Sequence, residues 1–243
     1  IVFLVYKTAK NMSGMGTALL SAFLIAASYV QVTLAHILKE DIFVSLLVLA
    51  VLFCSVKIYK TRERKWFYIA GLFAGFSTAT KYTQAITFIM VITAAALIID
   101  WKNKDDVRNK IQWTIFSGLF MILGFLMGCS SVITHPSDMA NVFKHLMRYS
   151  KDIYIDTLND PHVFIRQLSV LRFNLGLPLL ITFVLSLAHF VFSYRLFKQY
   201  FIPLSYIFVL FFLSFSDPSG LSRYLLPAIA PVILFSSHIL AEN

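Results

Sequence analysis

The stretch WFYIAGLFAGFSTATKYTQAITFIMVITAAALII, residues 66–99, contains a single charged side chain, that of Lys81. A bilayer span needs about 20 apolar residues, so this stretch is too long for one span and fits two short ones. A lysine near a helix end can extend its ammonium group to the membrane surface. The stretch therefore predicts two transmembrane helices joined by a turn that presents Lys81 to headgroups, phosphates or a water-filled site.

The composition of the whole chain indicates a membrane protein. Of its 243 residues, 58% are hydrophobic and 14% are charged, and the mean hydropathy is +0.76, whereas soluble domains carry about 25% charged residues. Bulky apolar residues occur at every helical phase and do not alternate as in barrel strands. We predict an all-α, polytopic transmembrane helical bundle. Because its net charge of +9 must be read loop by loop in such a protein, we expect no nucleic-acid partner.

Breaks at charge clusters divide the chain into about eight full spans after a partial one that ends near Tyr6. The full spans are predicted near residues 15–34, 42–56, 66–80, 84–99, 111–133, 175–193, 200–215 and 224–240. All of them belong to one transmembrane domain, residues 1–243. Residues 134–174 form one long outer loop, in which we expect two amphipathic helices lying in the membrane interface.

The basic residues fall mainly in alternate loops and so predict the orientation. Most of the 21 Lys and Arg residues share one side: Lys7, Lys10, Lys57, Lys60, Arg62, Arg64, Lys65, Lys102, Lys104, Arg108, Lys110, Arg195 and Lys198. The positive-inside rule makes that face cytoplasmic. The charges on the opposite face nearly balance, as in a polar site. We expect an integral protein of the plasma (inner) membrane with its active site on the extracytoplasmic face.

Three charged residues on the outer face mark a candidate site. Asp41, Lys81 and Arg223 each lie where a span begins or ends. Each has a simpler explanation, since Asp41 can cap a helix, Lys81 can extend to the interface and Arg223 can mark a loop edge. Together they suit transfer from a lipid phosphate, because fixed cations stabilise a phosphate leaving group and a carboxylate can orient or deprotonate an acceptor hydroxyl.

Other residue types predict neither a disulfide nor a metal site. Cys54 and Cys129 lie toward opposite ends of different spans, so we expect them to be unpaired packing residues. His135, His145 and His162 lie in the outer loop, but their spacing matches no metal-ligand signature. We predict no metal and no other bound cofactor.

Three segments of the sequence resemble one family of enzymes. AHILKEDIFVSLLVLAV (residues 35–51), GLFAGFSTATKYTQAI (71–86) and SRYLLPAIAPVILF (222–235) are similar, in order and spacing, to the multi-spanning glycosyltransferases. That superfamily includes the protein O-mannosyltransferases and the lipid A aminoarabinose transferase. The GxxxGxxxxTK-aromatic pattern of the second segment is fairly specific, and the other two patterns are weaker. The resemblance implies inverting transfer of a sugar from a polyprenyl monophosphate to a hydroxyl acceptor of unknown identity.

The resemblance also implies roles for individual residues. Asp41 corresponds to the family's second luminal acidic position, near the acceptor site, and Lys81 to a lysine that holds the lipid-linked phosphate. Arg223 resembles a basic residue near the substrate cavity, and Arg148 is a looser candidate for a second phosphate contact. The remaining substrate-binding candidates are His36, Lys39, Tyr82 and Tyr224. Membrane lipids and the polyprenyl-phosphate sugar are the expected partners.

The first acidic motif of the family, which supplies its base, lies in an outer loop between the first two spans. This chain begins at Ile1 near the end of the second span. We therefore expect an N-terminally truncated fragment that is inactive alone.

Two other classes of protein fit the sequence. A transporter or lipid flippase is also helical and basic inside, but its ionisable groups tend to lie near the bilayer midplane, within repeated halves. Here the charges cluster at one interface, and the sequence shows no repeat. A noncatalytic subunit that binds polyprenyl phosphate is the second alternative.

Overall fold

The computed structural model describes residues 1–36, 40–158, 163–193, 198–214 and 226–242. Within these ranges the secondary structure is entirely helical, which confirms the all-α prediction. The α-helices are α1 (Val2–Ser13), α2 (Met15–Ala26), α3 (Tyr29–His36), α4 (Glu40–Thr61), α5 (Arg64–Thr80), α6 (Phe88–Ile98), α7 (Lys104–Gly128), α8 (Ser131–Thr134), α9 (Pro136–Leu158), α10 (Val163–Ser193), α11 (Phe201–Ser214) and α12 (Leu226–Glu242). Short 3-10 helices occupy Tyr82–Thr87 and Lys198–Tyr200.

Several of these helices suit a membrane by length and composition. Among the described residues, Glu40–Thr61, Lys104–Gly128 and Arg172–Phe192 are long and apolar enough to cross one. Shorter apolar helices lie at Met15–Ala26, Tyr82–Ile98, Lys198–Leu213 and Pro227–His238. The chain is therefore an α-helical membrane bundle, while the number of eight full spans stays a prediction.

Helix α4 lies at the centre of the bundle and packs against α1, α5, α6 and α12. Its residues Val44, Val48, Leu49 and Leu52 are completely buried. Helix α7, in contrast, exposes several large apolar side chains on one side: Ile115, Leu119, Ile122 and Met127. Since a lipid chain is as apolar as leucine, such a face is stable against the bilayer interior. The candidate site is attached to the buried helix α4.

Two glycine pairs bring α5 and α7 into close contact, as their GxxxG spacing suggests. A Cβ atom built on Gly75 would lie 2.7 Å from the backbone nitrogen of Phe125. One built on Gly128 would lie 2.6 Å from the Cβ of Ala79. Both distances are too short for carbon, so the two backbones can approach this closely only without side chains. The contact extends along α5 as far as its last turn before Lys81.

Three parts of the chain that were predicted to lie on the basic face, near residues 11–13, 57 and 199–200, contact one another. The side-chain amide of Gln199 donates to the carbonyl of Met12 at 2.6 Å, and the hydroxyls of Ser13 and Tyr200 are hydrogen-bonded. Lys57 Nζ donates to Asn11 Oδ1 at 2.9 Å. These contacts join the ends of α1, α4 and the 3-10 helix before α11, as the predicted alternation of loops requires. Which face is cytoplasmic stays a prediction.

Several predicted boundaries differ from the structure. The span expected at 111–133 is divided between α7, which ends at Gly128, and α8, which starts at Ser131. The expected span at 15–34 is interrupted, because α2 ends at Ala26 and α3 starts at Tyr29. The turn tightens there: the amide of Ser28 donates to the carbonyl of Ile25, three residues back, as often happens at helix ends. The partial first span, expected to end near Tyr6, instead belongs to a helix that continues to Ser13.

The predicted outer loop, residues 134–174, contains α9 and the first part of α10. Helix α10 continues beyond it and bends at Gly176, which has φ 73° and ψ 159°. That φ favours glycine, and Pro178 lacks the amide hydrogen that a regular helix would need. The bend lies within the apolar part of α10, Arg172–Phe192.

Candidate functional site

The turn that carries Lys81 is built as the sequence predicts. Helix α5 ends at Thr80, Lys81 is extended with φ −152° and ψ 112°, and the 3-10 helix starts at Tyr82. The Lys81 amide donates to the carbonyl of Ser77 at 3.0 Å, and the amide of Gln84 donates to the Lys81 carbonyl at 2.8 Å. The backbone on both sides of Lys81 is therefore fixed by hydrogen bonds.

Lys81 and Asp41 form an ion pair between the turn and the first turn of α4. Lys81 Nζ donates to Asp41 Oδ1 at 2.9 Å. The Asp41 side chain is 0% exposed and that of Lys81 is 16% exposed. A buried charge needs a partner, and the N-terminus of α4 adds a favourable dipole for the carboxylate. Asp41 thus neutralises and directs the ammonium group, and Lys81 is the member of the pair that reaches the surface.

Two buried polar atoms in this region lack a hydrogen-bond partner among the residues that the structure describes. They are Asp41 Oδ2 and, one helical turn before Lys81, Ser77 Oγ. Buried polar atoms are nearly always paired in proteins, directly or through water. Their unused capacity to accept hydrogen bonds makes this end of α4 and α5 a place where a hydroxyl or a water molecule would be stabilised.

Tyr82 connects the turn to α7 and α9 by contacts between aromatic rings. Its ring centroid lies 5.0 Å from that of Phe143 on α9 and 6.4 Å from that of Phe125 on α7. Such tilted and edge-on pairs are favourable. Helix α9, the first amphipathic helix of the outer loop, is therefore attached directly beside Lys81.

One contact of the site was missed in the sequence. The hydroxyl of Tyr206 on α11 donates to Gln84 Oε1 at 2.7 Å, and both residues are buried. Gln84 is a polar residue within an apolar stretch, and that was the available signal. Its partner lies 122 positions along the chain and could not be identified without the structure.

The other predicted site residues lie elsewhere or outside the described residues. His36 is exposed at the end of α3, where its Nδ1 lies 2.7 Å from the carbonyl oxygen of Val32. Arg148 is exposed on α9. Lys39, Arg223 and Tyr224 fall outside the residues that the structure describes. The structure thus brings together Asp41, Lys81 and the adjacent Tyr82, and their roles stay predictions.

An apolar groove of about 710 Å³ lies between α4 and α5, with α1 at one side. Phe53 and Trp66 line it at the end nearer the basic loops, and Phe43 and Thr80 line it at the end where Lys81 follows. None of the residues that line it is charged. A groove of this character accommodates a hydrocarbon chain.

The cysteines are free, as predicted: Cys54 is buried and Cys129 is half-buried. Within the described ranges, no three His, Cys, Asp or Glu side chains come together as a possible metal-binding group.

Comparison with known proteins identifies one family. The family described as dolichyl-phosphate-mannose-protein mannosyltransferase matches residues 1–132, more than half of the 243 residues. The match includes Asp41 and Lys81 and ends before Arg148. No curated protein and no solved structure matches the chain. The resemblance drawn from the sequence is thus confirmed, and the chain belongs to the dolichyl-phosphate-mannose-protein mannosyltransferase family, as an integral membrane protein of the glycosyltransferase class.

Proposed function

We propose that the protein transfers a sugar, mannose according to the family's description, from a polyprenyl phosphate to a hydroxyl acceptor at the extracytoplasmic surface. The observation that carries the proposal is the partly exposed side chain of Lys81, whose ammonium group a buried carboxylate holds at the end of α5. In this reaction the acceptor oxygen attacks the anomeric carbon while the bond from that carbon to the phosphate oxygen breaks. The bonding electrons leave with the phosphate, and the acceptor's proton passes to a base.

Lys81 suits the phosphate of the donor. Negative charge develops on the phosphate as it leaves, and a fixed ammonium group in surroundings of low polarity stabilises that charge more strongly than it would in water. Asp41 keeps the ammonium in place through Oδ1. We therefore propose that Lys81 contacts the donor and that Asp41 positions it.

A direct role of Asp41 toward the acceptor is the role that the resemblance implies. Its second oxygen, Oδ2, is buried in this structure. Contact with an acceptor hydroxyl requires that Oδ2 become accessible when the donor displaces the side chain of Lys81. The positioning role needs no such movement.

The groove between α4 and α5 supports a lipid-linked donor. Its lining is predominantly apolar and uncharged, and one of its ends is formed by Thr80, directly before Lys81. A polyprenyl chain in the groove would bury its isoprene units there, while its phosphate lies at the surface near the ammonium group. Burial of apolar area supplies most of such a tail's affinity.

Binding of undecaprenyl phosphate, measured in nanodiscs, tests the phosphate contact. The variant that carries both Asp41→Asn and Lys81→Met removes the two charges of the pair together. A hydrogen bond to a charged group contributes about 1.5–3 kcal/mol, so we expect affinity to fall about 10- to 100-fold. The affinity for undecaprenol, which has the chain but no phosphate, should stay unchanged. Equal losses for both lipids, or no loss for either, would contradict the role of Lys81.

Transfer of labelled mannose from the polyprenyl phosphate separates an enzyme from a noncatalytic subunit that binds the same lipid. We expect transfer by the complete protein and none by its double variant. Retained binding with no transfer by the complete protein would favour the noncatalytic alternative.

A further inference from the structure

Tyr206 links the part of the chain beyond the family match to the turn that carries Lys81. Tyr206 lies on α11 and is completely buried. Gln84 is also buried, with an exposed fraction of 1%. The hydroxyl donates to Gln84 Oε1 at 2.7 Å. The match ends at residue 132, so the contact joins the matched and the unmatched halves of the chain.

Gln84 passes this contact on to Lys81 through the backbone. Its amide donates to the Lys81 carbonyl at 2.8 Å, and its own carbonyl accepts the hydroxyl of Thr87 at 2.8 Å. Two hydrogen bonds therefore separate the hydroxyl of Tyr206 from the main chain of Lys81. On the other side, the Lys81 amide is fixed by Ser77 in α5.

The segment between these contacts is one that needs support. Residues Tyr82–Thr87 form a 3-10 helix, whose hydrogen bonds have poorer geometry than those of an α-helix, and six residues is long for such a segment. Gln84 is buried within this segment, and an unpaired amide oxygen is costly in a buried position. A single strong hydrogen bond from a neighbouring helix therefore restricts where the turn can lie.

We propose that Tyr206 is a positioning residue for sugar transfer: by holding Gln84 it fixes the turn that aims the ammonium group of Lys81 at the donor phosphate. The inference rests on the proposed function for the role of Lys81, and the contact between α11 and the turn stands independently of it. Tyr206 acts through Gln84 and touches neither donor nor acceptor.

Tyr206→Phe removes one hydroxyl and keeps the ring, and Tyr200→Phe is its matched control. Tyr200 is equally buried, but its hydroxyl is bonded to Ser13 at the opposite end of the bundle. We expect Tyr206→Phe to weaken binding of undecaprenyl phosphate about 5- to 10-fold, a shift of roughly 1–1.4 kcal/mol, with unchanged affinity for undecaprenol. Tyr200→Phe should leave both affinities unchanged.

A second variant distinguishes the positioning role of Tyr206 from a role in folding alone. When both partners of a buried hydrogen bond are replaced by apolar groups of similar shape, stability is nearly restored. We expect Gln84→Met with Tyr206→Phe to recover the thermal stability lost in Tyr206→Phe but not the affinity for undecaprenyl phosphate. Recovery of both would show that Tyr206 only stabilises the fold and would overturn the proposal.

A triple variant, in which Tyr206→Phe is added to Asp41→Asn and Lys81→Met, shows whether Tyr206 acts through Lys81. In a chain that carries Asp41→Asn and Lys81→Met, addition of Tyr206→Phe should cause no further loss of phosphate affinity, because the group that it positions is gone. An additive loss would overturn the proposal.

Hydrogen exchange of residues 81–87, faster in Tyr206→Phe than in Tyr200→Phe, tests the contact without any lipid. If the Asp41 and Lys81 substitutions leave the affinity for undecaprenyl phosphate unchanged while the exchange rates still differ, the proposed function fails. The contact between Tyr206 and Gln84 would then still be supported. If those substitutions lower the affinity and Tyr206→Phe does not, the positioning role alone fails.

Discussion

Asp41 and Lys81 are 40 positions apart in the chain, yet Lys81 Nζ lies 2.9 Å from Asp41 Oδ1 with the carboxylate wholly buried. The pair joins the start of α4 to the end of α5. Because the burial of one charge depends on the other, the two residues act on stability as a unit. The ion pair also explains why a cation is tolerated within an otherwise uncharged stretch.

Single substitutions in this pair should therefore destabilise the protein more than the double substitution. Removing one partner of a buried pair costs about 3–5 kcal/mol, so we expect Lys81→Met and Asp41→Asn each to lower the melting temperature clearly. The two together should restore part of it, because the charged pair is then removed as a unit. Thermal unfolding in detergent measures the effect. Additive losses in the double variant would show that the side chains do not depend on each other.

Local sequence signals located the turn at Lys81, because a single charge inside an apolar stretch is visible in the sequence. Glycines four residues apart indicate that a helix can approach a neighbour closely, but that α5 and α7 are the two helices that meet is seen only in the structure. The sequence placed Asp41 and Lys81 on one face, but it could not show that they touch, since that depends on how α4 and α5 are rotated against each other. The same holds for Gln84 and Tyr206, which meet only because α11 packs beside the turn. The break between Ala26 and Tyr29 was missed because hydropathy does not change there.

The contact of α5 with α7 predicts that Gly75→Ala destabilises the bundle. Its new methyl group would overlap the carbonyl oxygen of Met121 and approach the nitrogen of Phe125 to 2.7 Å. Overpacking costs about 1–3 kcal/mol, which exceeds the gain of about 1 kcal/mol in helix propensity. Gly118→Ala is the control, because its nearest neighbour would be Phe88 Cζ at 3.8 Å, an ordinary contact.

A thiol-reactive dye can follow unfolding in these glycine variants, since Cys54 is buried and reacts only when the bundle opens. Replacement of the half-buried Cys129 by serine removes the competing signal. We expect a lower unfolding temperature for Gly75→Ala and an unchanged or higher one for Gly118→Ala. Equal temperatures for the two variants would mean that α5 and α7 do not meet at Gly75.

The ring contact between Tyr82 and Phe143 predicts that Phe143 helps to hold α9 at the site. Aromatic pairs contribute about 0.5–1.5 kcal/mol beyond the area that they bury. Phe143→Ala should therefore accelerate hydrogen exchange in residues 136–148 by a few-fold. Val142→Ala, which shortens an exposed side chain on the same helix, should not. Similar exchange in both variants would show that Phe143 does not attach α9 to the turn.

The alternation of basic loops predicts which ends of the helices face the cytoplasm. Lys102, between α6 and α7, lies in a loop of the basic face, whereas Asp138, at the start of α9, lies beyond the opposite end of α7; both are exposed. In a chain that lacks Cys54 and Cys129, a cysteine at Asp138 should react with a membrane-impermeant maleimide in intact cells. A cysteine at Lys102 should react only after the membrane is permeabilised. Because α7 connects the two positions and is long enough to cross a membrane, labelling of both from outside would exclude α7 as a span. The reverse pattern would place the Asp41–Lys81 pair on the cytoplasmic face, where the proposed extracytoplasmic transfer could not occur.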